Sequence, residues 1–189
     1  MVELMVVIAI MLLLLLLAVP SFADLIDRAR VRGAAGAAMT VLAEARGASV
    51  FSNRDVAVSF GGTDPAWCIG ANGALTPSPL GTLAPPAVAC DCTTASNCTV
   101  LNGVAANAAG LQTLALSSTD YNGVTMGTRP ATFIYDGRFG DMQDLTLTPS
   151  VTFTSPKGKY QIKLNVAPLG QASLCIPTGQ PDIVGIPPC

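Results

Sequence analysis

ELMVVIAIMLLLLLLAVPSFADLIDRARVRGAAGAAMTVLAEARGASVFS, residues 3–52, decides the fold. From Leu4 to Val19 no side chain is polar, and the first charge after Glu3 is Asp24. As a helix, Leu4 to Ala23 spans about 30 Å, one hydrocarbon thickness. A cleaved secretory signal carries a positive n-region. Here the only charge ahead of the apolar run is Glu3, and the first Lys or Arg is Arg28. The segment is therefore expected to be retained as a membrane-spanning half-helix. A carboxylate in hydrocarbon costs up to about 3 kcal/mol, less near a helix end. Glu3 either sits solvated in the interface or waits for a positive partner.

From Leu25 to about Ser52 the period stays helical but the face narrows. Val31, Ala34/Ala35, Ala38, Val41/Leu42, Ala45 and Ala48/Ser49 recur every three or four residues. Most of the charges, Asp27, Arg28, Arg30, Arg32, Glu44 and Arg46, lie off that stripe. The stripe predicts a core-facing helix, and its small residues let another element approach closely. Asn53-Arg54-Asp55 reads as the exit. One helix from Glu3 to Ser52 would be about 75 Å long, and Pro20 should kink it.

After Asp55 the period becomes two. Candidate strands are VAVSF (56–60), 111–116, 131–135, 144–147, 151–154, 160–166 and 172–176, with Ile162, Leu164 and Val166 on one face. Asn72-Gly73, Asn102-Gly103, Asn122-Gly123 and Lys157-Gly158 read as turns. Residues 61–110, rich in Gly, Pro and Thr and holding four cysteines, read as a long decorated loop with short strands. The expected architecture is α+β. It consists of an apolar half-helix (1–23), an amphipathic half-helix packed on a sheet (24–52), and an exported β-rich domain (53–189).

The composition excludes several functions. The 189 residues are 50% hydrophobic but only 12% charged, with a net charge of −2. Soluble domains run near 25% charged. No basic excess advertises a nucleic-acid partner. Histidine is absent, which removes the commonest general base and metal ligand. No serine or threonine has an evident base, and Gly61-Gly62 is not followed by the Lys-Thr of a phosphate loop. The chain reads as a non-enzyme without cofactor.

Six cysteines, at 68, 90, 92, 98, 175 and 189, suit disulfides in an oxidising compartment. Cys90-x-Cys92-x5-Cys98 lacks the paired C-x2-C spacing of zinc sites, so no metal is expected. A Cys175–Cys189 bridge would pin a proline-rich tail. Cys92–Cys98 and Cys68–Cys90 are the expectation for the other four, among pairings that stay open. Asp136, Asp141 and Asp144 read as solvated turn acids, without EF-hand spacing. Lys157, Lys159 and Lys163, the only lysines, share strand parity and read as protection of a sheet edge.

The run Val2-Glu3-Leu4-Met5-Val6-Val7-Ile8-Ala9-Ile10, ending in Ala18-Val19-Pro20-Ser21-Phe22, resembles the N-terminal helix of type IV pilins and type II secretion pseudopilins. That family reads G-F-T-L-[IV]-E-L-[ML]-[VI]-[VT]-[IV]-A-I, with a proline later. Glu3 and Pro20 fall on the matching positions. The resemblance implies assembly through this helix, with Glu3 pairing a neighbouring subunit's N-terminal amine. It also implies cleavage by a prepilin peptidase and methylation of the new amine. Lys/Arg-Gly-Phe-Thr would then be encoded in frame just upstream, with Met1 a mis-read leucine codon.

Weaker likenesses point to the FimT/GspH minor pilin and pseudopilin branch. They are LAEARGASVFSNRDVAVSF (42–60), Trp67-Cys68, Phe133 to Gly140, and Val166-Ala167-Pro168-Leu169-Gly170 before Cys175. That branch implies a non-catalytic subunit that initiates or caps a type IV pilus or type II secretion pseudopilus. It would wait in the bacterial inner membrane as a single-pass protein with a periplasmic domain. Its partners would be other pilin or pseudopilin subunits and the inner-membrane assembly platform. Some members serve DNA uptake through a G-R-x-R motif. Here the place reads Gly170-Gln171-Ala172-Ser173, without either arginine, so DNA binding is not carried over. The rival readings are a membrane-anchored periplasmic binding module that does not polymerise, a DNA-uptake minor pilin, and a cleaved secreted protein.

Overall fold

The computed structural model describes residues 2–74, 87–101 and 110–189, leaving aside the side chains of 13–21. One helix, α1, runs from Val2 to Ser52. Its stripe is buried as the periodicity predicts: Val31, Ala34, Ala35, Ala38, Leu42, Ala45 and Ser49 are all fully buried. The helix stops where Asn53 turns left-handed, at φ 52°. The Arg54 amide then donates back to the Ser49 carbonyl at 3.1 Å. Asparagine tolerates that conformation better than most residues. The expected exit at 53–55 is where the chain leaves the helix.

Among the described residues, two four-stranded antiparallel sheets and a two-stranded ribbon follow. In the first sheet the order is β5 (Ala115–Ser117), β2 (Ala66–Gly73), β1 (Val56–Thr63), β7 (Phe133–Tyr135). In the second it is β10 (Ala172–Cys175), β9 (Gln161–Val166), β8 (Ser150–Thr154), β6 (Thr125–Met126). The ribbon pairs β3 (Thr99–Leu101) with β4 (Leu111–Thr113). The C-terminal half of α1 packs on both large sheets. This is an α+β fold with the N-terminal helix lying on antiparallel sheets.

Period-two burial builds the core. In β9, Ile162, Leu164 and Val166 turn inward, and in β8 Val151 and Phe153 do the same. Trp67 of β2 meets the Phe153 ring edge-on at 5.4 Å, which ties the first sheet to the second. Its indole N–H donates to the Val124 carbonyl at 2.8 Å, so the buried donor is satisfied.

The first sheet is covered on both faces. Val56, Val58, Trp67, Ile69 and Ala71 join the core shared with α1. On the far face, residues 87–98 lie across β1 and β2. Ser59 Oγ donates to the Cys90 carbonyl at 2.8 Å, and Asn72 Nδ2 to the Val88 carbonyl at 3.0 Å. Gly70 supplies room for this layer: a Cβ there would stand 2.4 Å from Cys98 Sγ and 2.9 Å from Cys90 Sγ.

Several expectations change. β2, a central strand, falls inside the stretch read as a decorated loop. Asn72-Gly73 is its end, paired with Val56 and Ala57, rather than a turn. The 111–116 segment splits between two sheets around Leu114, whose amide donates to Cys98 and whose carbonyl accepts from Ala71. Residues 144–147 form a turn, because Asp144 Oδ1 accepts from the Thr146 amide and hydroxyl at 2.9 and 2.6 Å. Asn122-Gly123 and Lys157-Gly158 are turns as read, with φ of 83° and 70° at the glycines. Asn102-Gly103 lies outside the described residues.

Candidate functional site

The helix divides at Asp27, the first buried residue among the described side chains. Before it, Val2, Leu4, Met5, Val6, Val7, Ile8, Ile10, Met11 and Leu12 are all exposed, and so are Phe22, Leu25 and Ile26. Apolar side chains thus point outward on every side of the helix. Soluble monomers rarely leave so large a contiguous apolar surface uncovered. Glu3 is exposed in the first turn, where a carboxylate also complements the helix dipole. Pro20 lies within the continuous helix, and its side chain is outside the described set. Among the described residues no helix is long and apolar enough to cross a membrane.

Where the projecting half meets the domain, a polar collar fixes it. Asp24 accepts from Lys159 Nζ at 2.7 Å, from the Tyr160 hydroxyl at 2.8 Å, and from Arg28 at 2.6 Å. Those donors, Lys159 first, hold its carboxyl well below the usual range. Arg28 Nε also donates to the Tyr160 hydroxyl at 2.7 Å, and its guanidinium lies 4.8 Å from that ring's centre. One turn on, Asp27 is buried. It accepts from Ser155 Oγ at 2.7 Å and from the Lys157 amide at 3.2 Å. The 155–160 turn between β8 and β9 is thereby pinned to the helix from two positions.

These contacts revise the lysine reading. Lys163 sits on β9, between β8 and β10, so it protects no edge. Lys159 is an ion-pair partner of the helix. Sequence reasoning placed Asp27 off the buried stripe and gave Asp24, Ser155 and Tyr160 no role. The available signal was the co-location of two lysines on a tight turn and two aspartates just past the apolar run of the helix.

The disulfides are Cys68–Cys92, Cys90–Cys98 and Cys175–Cys189. The last is as expected, but Cys92–Cys98 and Cys68–Cys90 are not formed. Cys68 points from β2 to the far face, where the crossing segment 87–98 presents Cys92 to it. Cys90 folds over Ser59 and Gly70 toward Cys98 instead. The four sulfurs make a separate apolar cluster with Ala115. Spacing could not reveal this, because β2 was hidden in the presumed loop.

The Asp136 carboxylate accepts from the Arg138 and Phe139 amides, at 2.7 and 3.3 Å, and shapes its own turn. Among the described residues no group of three His, Cys, Asp or Glu could hold a metal. The Gly170–Ala172 segment borders an open groove of about 650 Å³ with Met39, Arg46, Val50 and Phe139. Beside it, Tyr135 is fully buried, and burial pushes its hydroxyl pKa up; that hydroxyl has no hydrogen-bond partner among the described residues.

The comparisons add no relative: no family model, no curated protein and no solved structure matches the chain. What the fold and the site define is a class by geometry alone, a disulfide-stapled α+β domain carried on a projecting apolar helix.

Proposed function

We propose that this chain is a minor pilin or pseudopilin, a non-catalytic subunit that initiates or caps a type IV pilus or type II secretion pseudopilus. The observation that carries the reading is the division of α1. One half is sunk in a β domain, and the other exposes apolar side chains all round with a single carboxylate near its tip. Such a half-helix needs an apolar environment. A bilayer supplies it before assembly, with residues 4–23 crossing the inner membrane and residues 53–189 in the periplasm. A bundle of like helices supplies it in the filament, where Glu3 gains a role beyond complementing the helix dipole. An unpaired carboxylate inside an apolar bundle is strongly penalised, so Glu3 enforces the register that brings it a positive partner, a neighbour's N-terminal amine.

The domain suits exposure outside the cell's reducing compartment. Three disulfides staple it, two of them over the first sheet and one across the C-terminal tail. The partners on this reading are other pilin or pseudopilin subunits, the assembly platform and a prepilin peptidase.

The test is Glu3→Leu in the native host. Membrane retention of the variant should be unchanged, while its share of sheared filaments or pseudopili falls at least tenfold, the effect of about 1.4 kcal/mol in assembly. Equal incorporation of wild type and variant would refute the role of Glu3.

A further inference from the structure

We propose that the collar where α1 enters the domain is a docking surface for the phosphates of anionic lipid headgroups. The inference rests on the reading of residues 4–23 as membrane-spanning, and it adds the chemistry of the surface the domain sits on. Five of the ten cations in the chain gather at this one end: Arg28, Arg30, Arg32, Lys157 and Lys159. Arg28, Arg30 and Arg32 lie within little more than one turn just past the apolar segment. Helical geometry puts 28 and 32 on one side and 30 on the other. All three are exposed, as are Lys157 and Lys159.

Three loops surround the helix at this level. Arg30 reaches the Asn122 carbonyl at 3.4 Å, the Asp27 carboxylate holds the Lys157 amide, and Arg32 passes Gly185. The cations therefore ring the helix instead of lining one stripe. Asp24 and Asp27 are the carboxylates built into the collar. Five cations against these two leave it +3, in a chain that carries −2 overall. Counting Asp120 and Asp182 on neighbouring loops, the sign stays positive.

Height matches as well. Arg28 begins about 8 Å beyond Ala23, and the headgroup layer is about 5–8 Å thick. Helical side chains lean toward the N-terminus, which here is the bilayer side. The three guanidiniums thus lean back toward the phosphate layer, and Lys159 joins them from the 155–160 turn through Asp24. Asp24 meanwhile orients Arg28 and Lys159 by pairing both. A cation close to an anionic surface contributes about fivefold to the partition between docked and free. Several together would hold the domain down on the membrane until extraction into a filament lifts it off.

Two of the lysines provide the readout. Full-length protein is placed in nanodiscs of phosphatidylcholine alone, or with phosphatidylglycerol added. An amine-reactive ester is applied, and acylation of Lys157 and Lys163 is followed by mass spectrometry. Lys157 should react at least about threefold more slowly in the anionic discs, and about 1 M NaCl should abolish the difference. Lys163, remote on the central strand β9, should react equally in both and reports that the domain is folded. The Arg30→Gln/Arg32→Gln double variant should lose part of the protection. Equal Lys157 rates in the two lipids, with the chain co-eluting with the discs, would overturn the docking surface alone. A chain that fails to co-elute with discs would overturn the membrane reading and this inference together. Protection reproduced in neutral detergent by inorganic phosphate would mean a free-anion site and would also refute the bilayer assignment.

Discussion

Removing the Cys175–Cys189 bridge should cost about 3 kcal/mol of stability. The bridge joins the end of β10 to the last residue and closes a loop with a sequence separation of 14. In the chain-entropy account a loop of about that size contributes roughly 3 kcal/mol by restricting the unfolded chain. The tail it pins has modest native contacts of its own. Ile176 and Ile183 are buried, Cys189 N–H donates to the Ile176 carbonyl at 2.9 Å, and Ile176 N–H to that of Pro187 at 2.8 Å. The perturbation is Cys175→Ala with Cys189→Ala, which leaves no lone thiol to reshuffle. Trp67 is the only tryptophan and is 1% exposed, so its fluorescence reports unfolding. With a urea m-value of about 2 kcal/mol/M, the midpoint of the full chain in mild detergent should fall by about 1.5 M. A fall under about 0.3 M would refute the reasoning, because the tail would then be held by its own packing.

Other perturbations address other parts of the fold. Leu42→Ala removes a fully buried side chain between helix and sheet and should cost about 2–5 kcal/mol in the same urea assay. Gly70→Ala puts a methyl 2.4 Å from Cys98 Sγ, so the sulfur layer must shift; non-reducing peptide mapping should find less correctly paired protein than wild type. Ser155→Ala strips the buried Asp27 of its hydroxyl donor and should destabilise by about 1.5–3 kcal/mol. Asp24 has its folded pKa depressed by Lys159, Tyr160 and Arg28, so its contribution is fully present above the unfolded value near 4 and fades as pH falls toward the folded one. The gap in urea midpoint between wild type and Asp24→Asn should therefore narrow steadily on acidification below about pH 4.

The helix was the most legible part, because its burial follows a single period along one face from Val31 to Ser49. Strands β8, β9 and β10 were legible for the same reason, each having one face in the core. β2 was not. AWCIGANG is buried on both faces, with Cys68 and Gly70 facing the sulfur layer, so it shows neither alternation nor β-branched richness. Missing β2 then misled the disulfide pairing, since Cys68 could only be assigned once its strand and face were known. Asp24 and Asp27 were hidden for another reason. Apart from Arg28, their partners are 128 to 136 residues away, and no local pattern announces a contact across that separation.

The reading of function hangs on what surrounds the projecting half of α1. A photo-cross-linking amino acid in place of the exposed Ile10 tests this directly in filaments sheared from the native host. The account predicts covalent adducts between this chain and neighbouring pilin or pseudopilin subunits at the level of their own apolar helices. Adducts to lipid alone, with the chain absent from the sheared fraction, would contradict it. So would recovery of a soluble protein lacking residues 2–23.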